Sequence, residues 1–147
     1  MTPITGTIEI ARPAQDVFDY VVDLKRQGEW QEAIVNVEVE TEGPTRVGTH
    51  AVQTRRVPGG TRSFPFEITE HDPPRRSSFH VTGGPVQPHG TINLTSLDNG
   101  TRTRVDFQIE FAGHGLGVLL MPLVQRDARR EVPKNLSALK DQLESSG

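Results

Sequence analysis

No cysteine occurs among the 147 residues, so the chain has no disulfide, no thiolate nucleophile and no cysteine-ligated metal. Lysine is nearly missing as well: Lys25, Lys134 and Lys140 are the only three, and the remaining positive charge is arginine. The formal net charge of -3 offers no basic field for a nucleic acid. Long apolar runs are lacking too. The longest, GVLLMPLV from Gly117 to Val124, is far too short to span a bilayer. The opening MTPITGTIEIARP has neither the basic start nor the apolar run of a secretory signal. The expectation is one cytoplasmic domain over residues 1–147, without membrane insertion. Aromatics are few, with six Phe, one Trp and one Tyr, whereas 14 Gly and 11 Pro announce many turns. A hydrophobic content of 33% then predicts a core that is thin or partly hollow.

What is present is mostly strand. Ile4, Ile8 and Ile10 share one face of a first strand ending at Ala11. Pro13 suits a helix start, and Val17, Phe18, Val21 and Val22 form a helical stripe. Asp23 is placed to cap a second short helix ending near Gly28. Val35, Val37 and Val39 alternate with polar residues in the next strand, closed by Gly43-Pro44. Val47 to Val57 reads as a strand, PGG as a tight turn, and Thr61 to Asp72 as the following strand, stopped by Pro73-Pro74. Further strands carry Phe79 with Val81, Ile92 with Leu94, and Val105, Phe107, Ile109 with Phe111. The last two are joined through Asn99-Gly100, a strong hairpin signal. A long helix closes the chain, with Leu116, Leu119, Leu120, Leu123, Val124, Val132, Leu136, Leu139 and Leu143 in helical spacing. Pro122 and Pro133 interrupt it, and Pro133 is expected to kink or break it.

The order is strand, two short helices, six strands and one long helix. Each strand has a single apolar face, and only the last helix is large enough to cover it. The predicted fold is α+β: a curved seven-stranded antiparallel sheet gripping the C-terminal helix. Phe64, Phe66 and Ile68 fall on alternate residues of one short strand, which raises the question of what that face looks at.

Several stretches resemble the START-like, helix-grip (SRPBCC) superfamily, and within it the bacterial polyketide cyclase/dehydrase-type members. They are IARPAQDVFDYVVDLKRQGEW, VGT at Val47 to Thr49, EITEHDPPRR at Glu67 to Arg76, NGTRTRVDF at Asn99 to Phe107, and the closing helix with QRDARREV. The resemblance implies a cavity between sheet and closing helix that takes an apolar or aromatic molecule, polyketide- or lipid-like. No catalytic motif of the superfamily can be laid onto the chain, and the fold hosts carriers, receptors and cyclases alike. The ligand-lining set expected from this picture is Trp30, Phe64, Phe66, Phe79, Val81, Ile92, Phe107, Ile109, Leu116, Leu120 and Leu123.

Chemistry needs polar groups on the same face as that lining. On the strand ending at Val57, either Val52, Thr54 and Arg56 face in, or Ala51, Gln53, Arg55 and Val57 do. The resemblance favours the second set. An inward Arg55 could hold a carboxylate or enolate oxygen, with Gln53 beside it. Asp127 has helical spacing from Leu116, Leu120 and Leu123, and so reads as an inward carboxylate able to act as a base or to pair with an inward arginine. The plain alternatives are a surface ion pair with Arg126 or Arg130, and arginines splayed into solvent. His80 and His89 fall on the outer face by alternation. The five histidines make no pair at metal-binding spacing and no nucleophile elbow occurs, so neither metal nor cofactor is expected. The partner is expected to be a hydrophobic small molecule, and the chain a monomer or weak dimer. An aldol cyclisation or dehydration and a non-catalytic carrier role both remain open, as does a partner-docking role.

Overall fold

The computed structural model describes residues 3–145. The elements are β1 (Ile4–Ile10), α1 (Ala14–Val21), a 3-10 helix (Leu24–Glu29), β2 (Ile34–Val39) and β3 (His50–Val57). There follow β4 (Gly60–Asp72), β5 (Arg76–Val81), β6 (Val86–Leu97), β7 (Arg102–Gly113) and α2 (Leu116–Ser145). The seven strands form one antiparallel sheet in the order β1-β7-β6-β5-β4-β3-β2. Only β1 leaves its sequence neighbours, to pair with β7. The predicted helix-grip architecture is the one observed.

Pairing across the sheet fixes one continuous inner face, because residues directly opposite in a ladder share a side. Gly6 lies opposite Phe107, Phe107 opposite Ile92, and Ile92 opposite Ser77. Ile109 meets Gly90, Gly90 meets Phe79, and Phe79 meets Ile68. Val81 meets Phe66, Phe66 meets Ala51, and Phe64 meets Gln53. Register slips in β2 between Ile34 and Asn36 and in β4 between Ile68 and Glu70 bend the sheet.

The helix lies on this face at the β1–β7 side. A Cβ added at Gly6 would sit 2.8 Å from both Leu136 Cδ1 and Val132 Cγ1, so the bare glycine is what lets α2 come down onto β1. At the other end, a side chain on Gly117 would run into the backbone carbonyl of Pro85. The His114 amide donates to that same carbonyl at 3.0 Å. The start of α2 is thereby fastened to the β5–β6 connection.

Two groups of buried residues result. The larger joins α1, β1, β6, β7 and the second half of α2, through Ile10, Phe18, Trp30, Val105, Leu139 and their neighbours. The smaller joins Leu24, Ile34, Val37, Ala51, Phe66, Ile68 and Val81 under β2–β5.

Four expectations are corrected. The strand predicted from Val47 starts at His50, and Val47 lies exposed in the preceding turn. Asp23 occupies the cap position of the 3-10 helix, but its side chain makes no cap hydrogen bond. Pro133 does not break α2, which runs unbroken through both prolines. Pro133 and Arg129 are both on the exposed side, where water can take the carbonyl that the missing N–H leaves free. The Asn99-Gly100 hairpin is closed by a 3-10 turn in which Asp98 and Asn99 themselves take positive φ, 50° and 57°.

Candidate functional site

On the inner face, polar side chains bridge β3 and the flank of α2. Ala51, Gln53, Arg55 and Val57 share the inner side of β3, since Gln53 pairs with Phe64 and Ala51 with Phe66. Arg55 reaches across to the helix, where its guanidinium donates to Glu131 Oε2 at 2.7 Å. Its second arm donates to Gln53 Oε1 at 3.0 Å, and Gln53 in turn lies 3.5 Å from Gln27 Oε1. A chain of polar groups thus runs from the 3-10 helix over β3 to α2. The partner of the inward arginine is Glu131, one helical turn beyond Asp127.

Phe66, Val81 and Ile92 are buried in this face, whereas Phe64, Phe79, Phe107 and Ile109 are half-exposed. Phe79 and Phe66 meet edge to face with centroids 6.3 Å apart. Phe79 lies flat over Gly90, where any side chain would collide with its ring.

The helix is phased differently from the expectation. Its inward residues are Gly117, Met121, Val132, Leu136, Leu139 and Leu143. Leu116, Leu120 and Leu123 are exposed, at 74%, 41% and 60%, and Asp127 is exposed with no ion pair among the described residues. The reason is that the first two turns of α2 are apolar all round, so periodicity alone does not pick a face there. Leu116, Leu120, Leu123, Asp127 and Glu131 nevertheless share a flank by their spacing of three and four, and the Glu131–Arg55 bond turns that flank toward β3. These three leucines are exposed and not sealed against the sheet.

Trp30 is 7% exposed and belongs to the larger core group. It is held by the turn before it. Tyr20 Oη donates to Glu29 Oε1 at 2.9 Å, Arg26 Nε donates to both Glu29 oxygens, and the Arg26 guanidinium stacks 4.7 Å over the Tyr20 ring. Burial, helped by the hydrogen bond to the Glu29 carboxylate, pushes the Tyr20 hydroxyl up to about 12. Hydrogen bonds from Arg26 and Tyr20 hold Glu29 below its usual range. Trp30 Nε1 itself is buried without an acceptor.

The convex face is polar. His80 and His89 face each other across β5 and β6, with rings 6.2 Å apart. Glu70 accepts from Arg76 and from Ser78, and these bonds keep its carboxyl low.

One inward residue escaped the sequence reading. The bulge in β4 turns His71 onto the inner face, opposite Ser77, where its ring packs 5.3 Å from Phe18. Alternation read from Phe66 and Ile68 counts straight past the extra residue, which leaves no signal for it. His71 lines a cleft of about 740 Å³ between α1, the 3-10 helix and the β2–β3 connection, whose rim carries Asp19, Asp23, Lys25, Glu40 and Glu42. A second hollow, about 410 Å³, lies beside Gly113, Val118, Met121, Pro122, Gln125 and Arg129. Neither is lined by Gln53, Arg55, Phe64 or Phe66. Among the described residues no cluster of three metal-ligating side chains occurs.

The fold has many solved counterparts. A protein from Thermus thermophilus is 20% identical with TM-score 0.79, covering 99% of each chain. An aromatase/cyclase from Streptomyces sp. R1128 is 17% identical with TM-score 0.83, covering 97% of this chain and 93% of that one. A START superfamily protein from Mycobacterium smegmatis is 16% identical with TM-score 0.76, covering 99% of each. No curated protein matches the chain by sequence. The family model described as polyketide cyclase/dehydrase and lipid transport matches residues 1–144. With that match over nearly its whole length, the chain belongs to the polyketide cyclase/dehydrase and lipid transport family.

Proposed function

We propose that the protein binds an apolar or aromatic small molecule, polyketide- or lipid-like, in the groove between β3–β5 and α2. The observation that carries this reading is the composition of one face. Half-exposed Phe64, Phe79, Phe107 and Ile109 lie on the same side as an arginine and a glutamine that reach across to the helix. An apolar lining with a few convergent polar groups is what a small-molecule site requires.

The role is that of a binding or carrier protein. The inward polar groups are already engaged with one another, with Arg55 neutralised by Glu131, and Asp127 stands in solvent. The second reading, aldol cyclisation or dehydration of a poly-β-ketone, uses the same groups. Arg55, released from Glu131, would hold the enolate oxygen beside Gln53, and Asp127 would have to swing inward as the base.

Native mass spectrometry of the purified protein tests the proposal, followed by identification of any small molecule released on denaturation. A stoichiometric apolar or polyphenolic molecule, displaced when Phe66→Ala or Phe107→Ala opens the lining, is the expected result. An empty protein whose Trp30 emission and melting temperature ignore fatty acids, sterols and aromatic polyketides would overturn it. Turnover of a poly-β-ketone that vanishes in Arg55→Ala while binding persists would favour the catalytic reading.

A further inference from the structure

The first turns of α2 carry a second feature, on the side facing away from the sheet. Leu116, Val118, Leu119 and Leu123 are 74%, 60%, 75% and 60% exposed. The next turns carry Arg126, Arg129, Arg130 and Lys134, all exposed. None of these four cations takes part in an ion pair among the described residues, although ten other ion pairs are made elsewhere. In a chain of net charge -3, these four cations outnumber the two carboxylates of the same turns, Asp127 and Glu131. Val35 and Val47 are the other exposed large hydrophobics, each standing singly, so the clustered ones are those of this tip.

We infer that the tip of α2 docks the protein onto an anionic lipid bilayer surface. The order along the helix fits that occupant. Leu119 and Arg126 are seven residues apart, about 10 Å at 1.5 Å per residue. Leucines at the tip reach the boundary of the acyl chains when the arginines stand at the level of the phosphates, the depth at which interfacial helices lie, roughly 5–10 Å. Guanidinium groups bind phosphate in a fork, and each basic side chain near an anionic leaflet adds to the attraction. No helix among the described residues is long and apolar enough to cross a membrane, so the contact is peripheral. It departs from the expectation of no membrane insertion only in seating a few leucines among the headgroups. The contact involves the surface of α2 alone and is independent of what the groove holds.

Co-sedimentation tests it, with the full chain, vesicles of equal parts phosphatidylserine and phosphatidylcholine, and vesicles of phosphatidylcholine alone. Binding to the anionic vesicles only, weakened by salt, is expected. The double variant Arg126→Gln/Arg130→Gln should bind about thirtyfold more weakly, the loss of two basic contacts. Val118→Ser/Leu119→Ser should bind at least about tenfold more weakly. Both pairs are exposed, so circular dichroism and melting should match the parent. No binding to anionic vesicles, or equal binding by parent and variants, would overturn the inference. So would a concentration-dependent dimer that Val118→Ser/Leu119→Ser dissolves while vesicles are ignored, since the occupant would then be a second copy. Failure here leaves the ligand measurement by native mass spectrometry untouched, and the reverse holds too.

Discussion

Arg55 on β3 and Glu131 on α2 join at 2.7 Å across the opening between sheet and helix. Both are partly solvated, with side-chain exposures of 24% and 39%. A pair of this kind contributes about 0–1 kcal/mol to stability. Its importance is positional, because it ties the exposed flank of α2 to the far side of the groove.

Separating charge from stability follows directly. Glu131→Gln should leave the unfolding free energy within about 1 kcal/mol of the parent. The same change frees Arg55, so affinity for an acidic or enolic aromatic probe should rise severalfold, whereas Arg55→Gln should lower it. Titration of the emission of Trp30, the single tryptophan, reads both.

The two glycines at the contacts of α2, Gly6 on β1 and Gly117 in the helix itself, should behave differently. At Gly6 an added methyl meets the ends of Leu136 and Val132 at 2.8 Å, and overpacking of this sort costs about 1–3 kcal/mol. At Gly117 it meets the Pro85 carbonyl, which cannot give way like a side chain. Gly117→Ala should therefore lift the first turns of α2, despite alanine's better helix propensity. Hydrogen exchange should speed up over residues 114–123 and spare the Leu136–Leu143 half.

Leu139 and Leu119 stand one face apart on the same helix. Leu139 is fully buried, and Leu139→Ala should cost about 2–5 kcal/mol. Leu119 is 75% exposed, and its alanine variant should stay within about 0.5 kcal/mol. Chemical denaturation of both variants checks the phase of the helix directly.

Tyr20 gives a pH signature free of overlap, since it is the only tyrosine. Its hydroxyl is raised to about 12 in the fold, against 10.0 for the free group. The neutral form is the one the fold favours, so its stabilisation is fully present below pH 10.0 and is lost as pH climbs toward 12. Ultraviolet titration should show the late transition, and Glu29→Gln should shift it downward. At the acid end, Glu29, Glu70 and Glu144 are all held below 4.5 by hydrogen bonds. Their contribution is present above that value and is lost as pH falls through their lowered range.

The strands were legible because alternation survives in short segments. Val105, Phe107, Ile109 and Phe111 could face only one way, and the ladder with β6 bears this out. On β3 alternation left two registers open, since Val52 and Val57 argue for opposite faces. Pairing of Gln53 with Phe64 decides it. The helix misled for a different reason. Leu116, Leu120 and Leu123 outweigh Gly117 in any hydrophobic count, yet Gly117 is the residue the Pro85 backbone admits. Glycine carries no apolar signal, so the true contact face was invisible there. That displacement also hid Glu131 behind Asp127 as the partner of Arg55. The bulge at Thr69 hid His71 in the same manner, by adding one residue to a count of two.

Fastening α2 at both ends has a mechanical consequence. Near Gly117 it is held by the Pro85 loop, and at Gly6 by β1, while in the span from Val118 to Glu131 Met121 is buried, Ala128 packs against the core and Glu131 takes the Arg55 strut. A beam supported in this way cannot swing open like a door. It can only bow sideways between its supports, so the width of the gap is set by the stiffness of about four turns of helix, and Pro122 sits inside that span with one backbone bond fewer to resist bending.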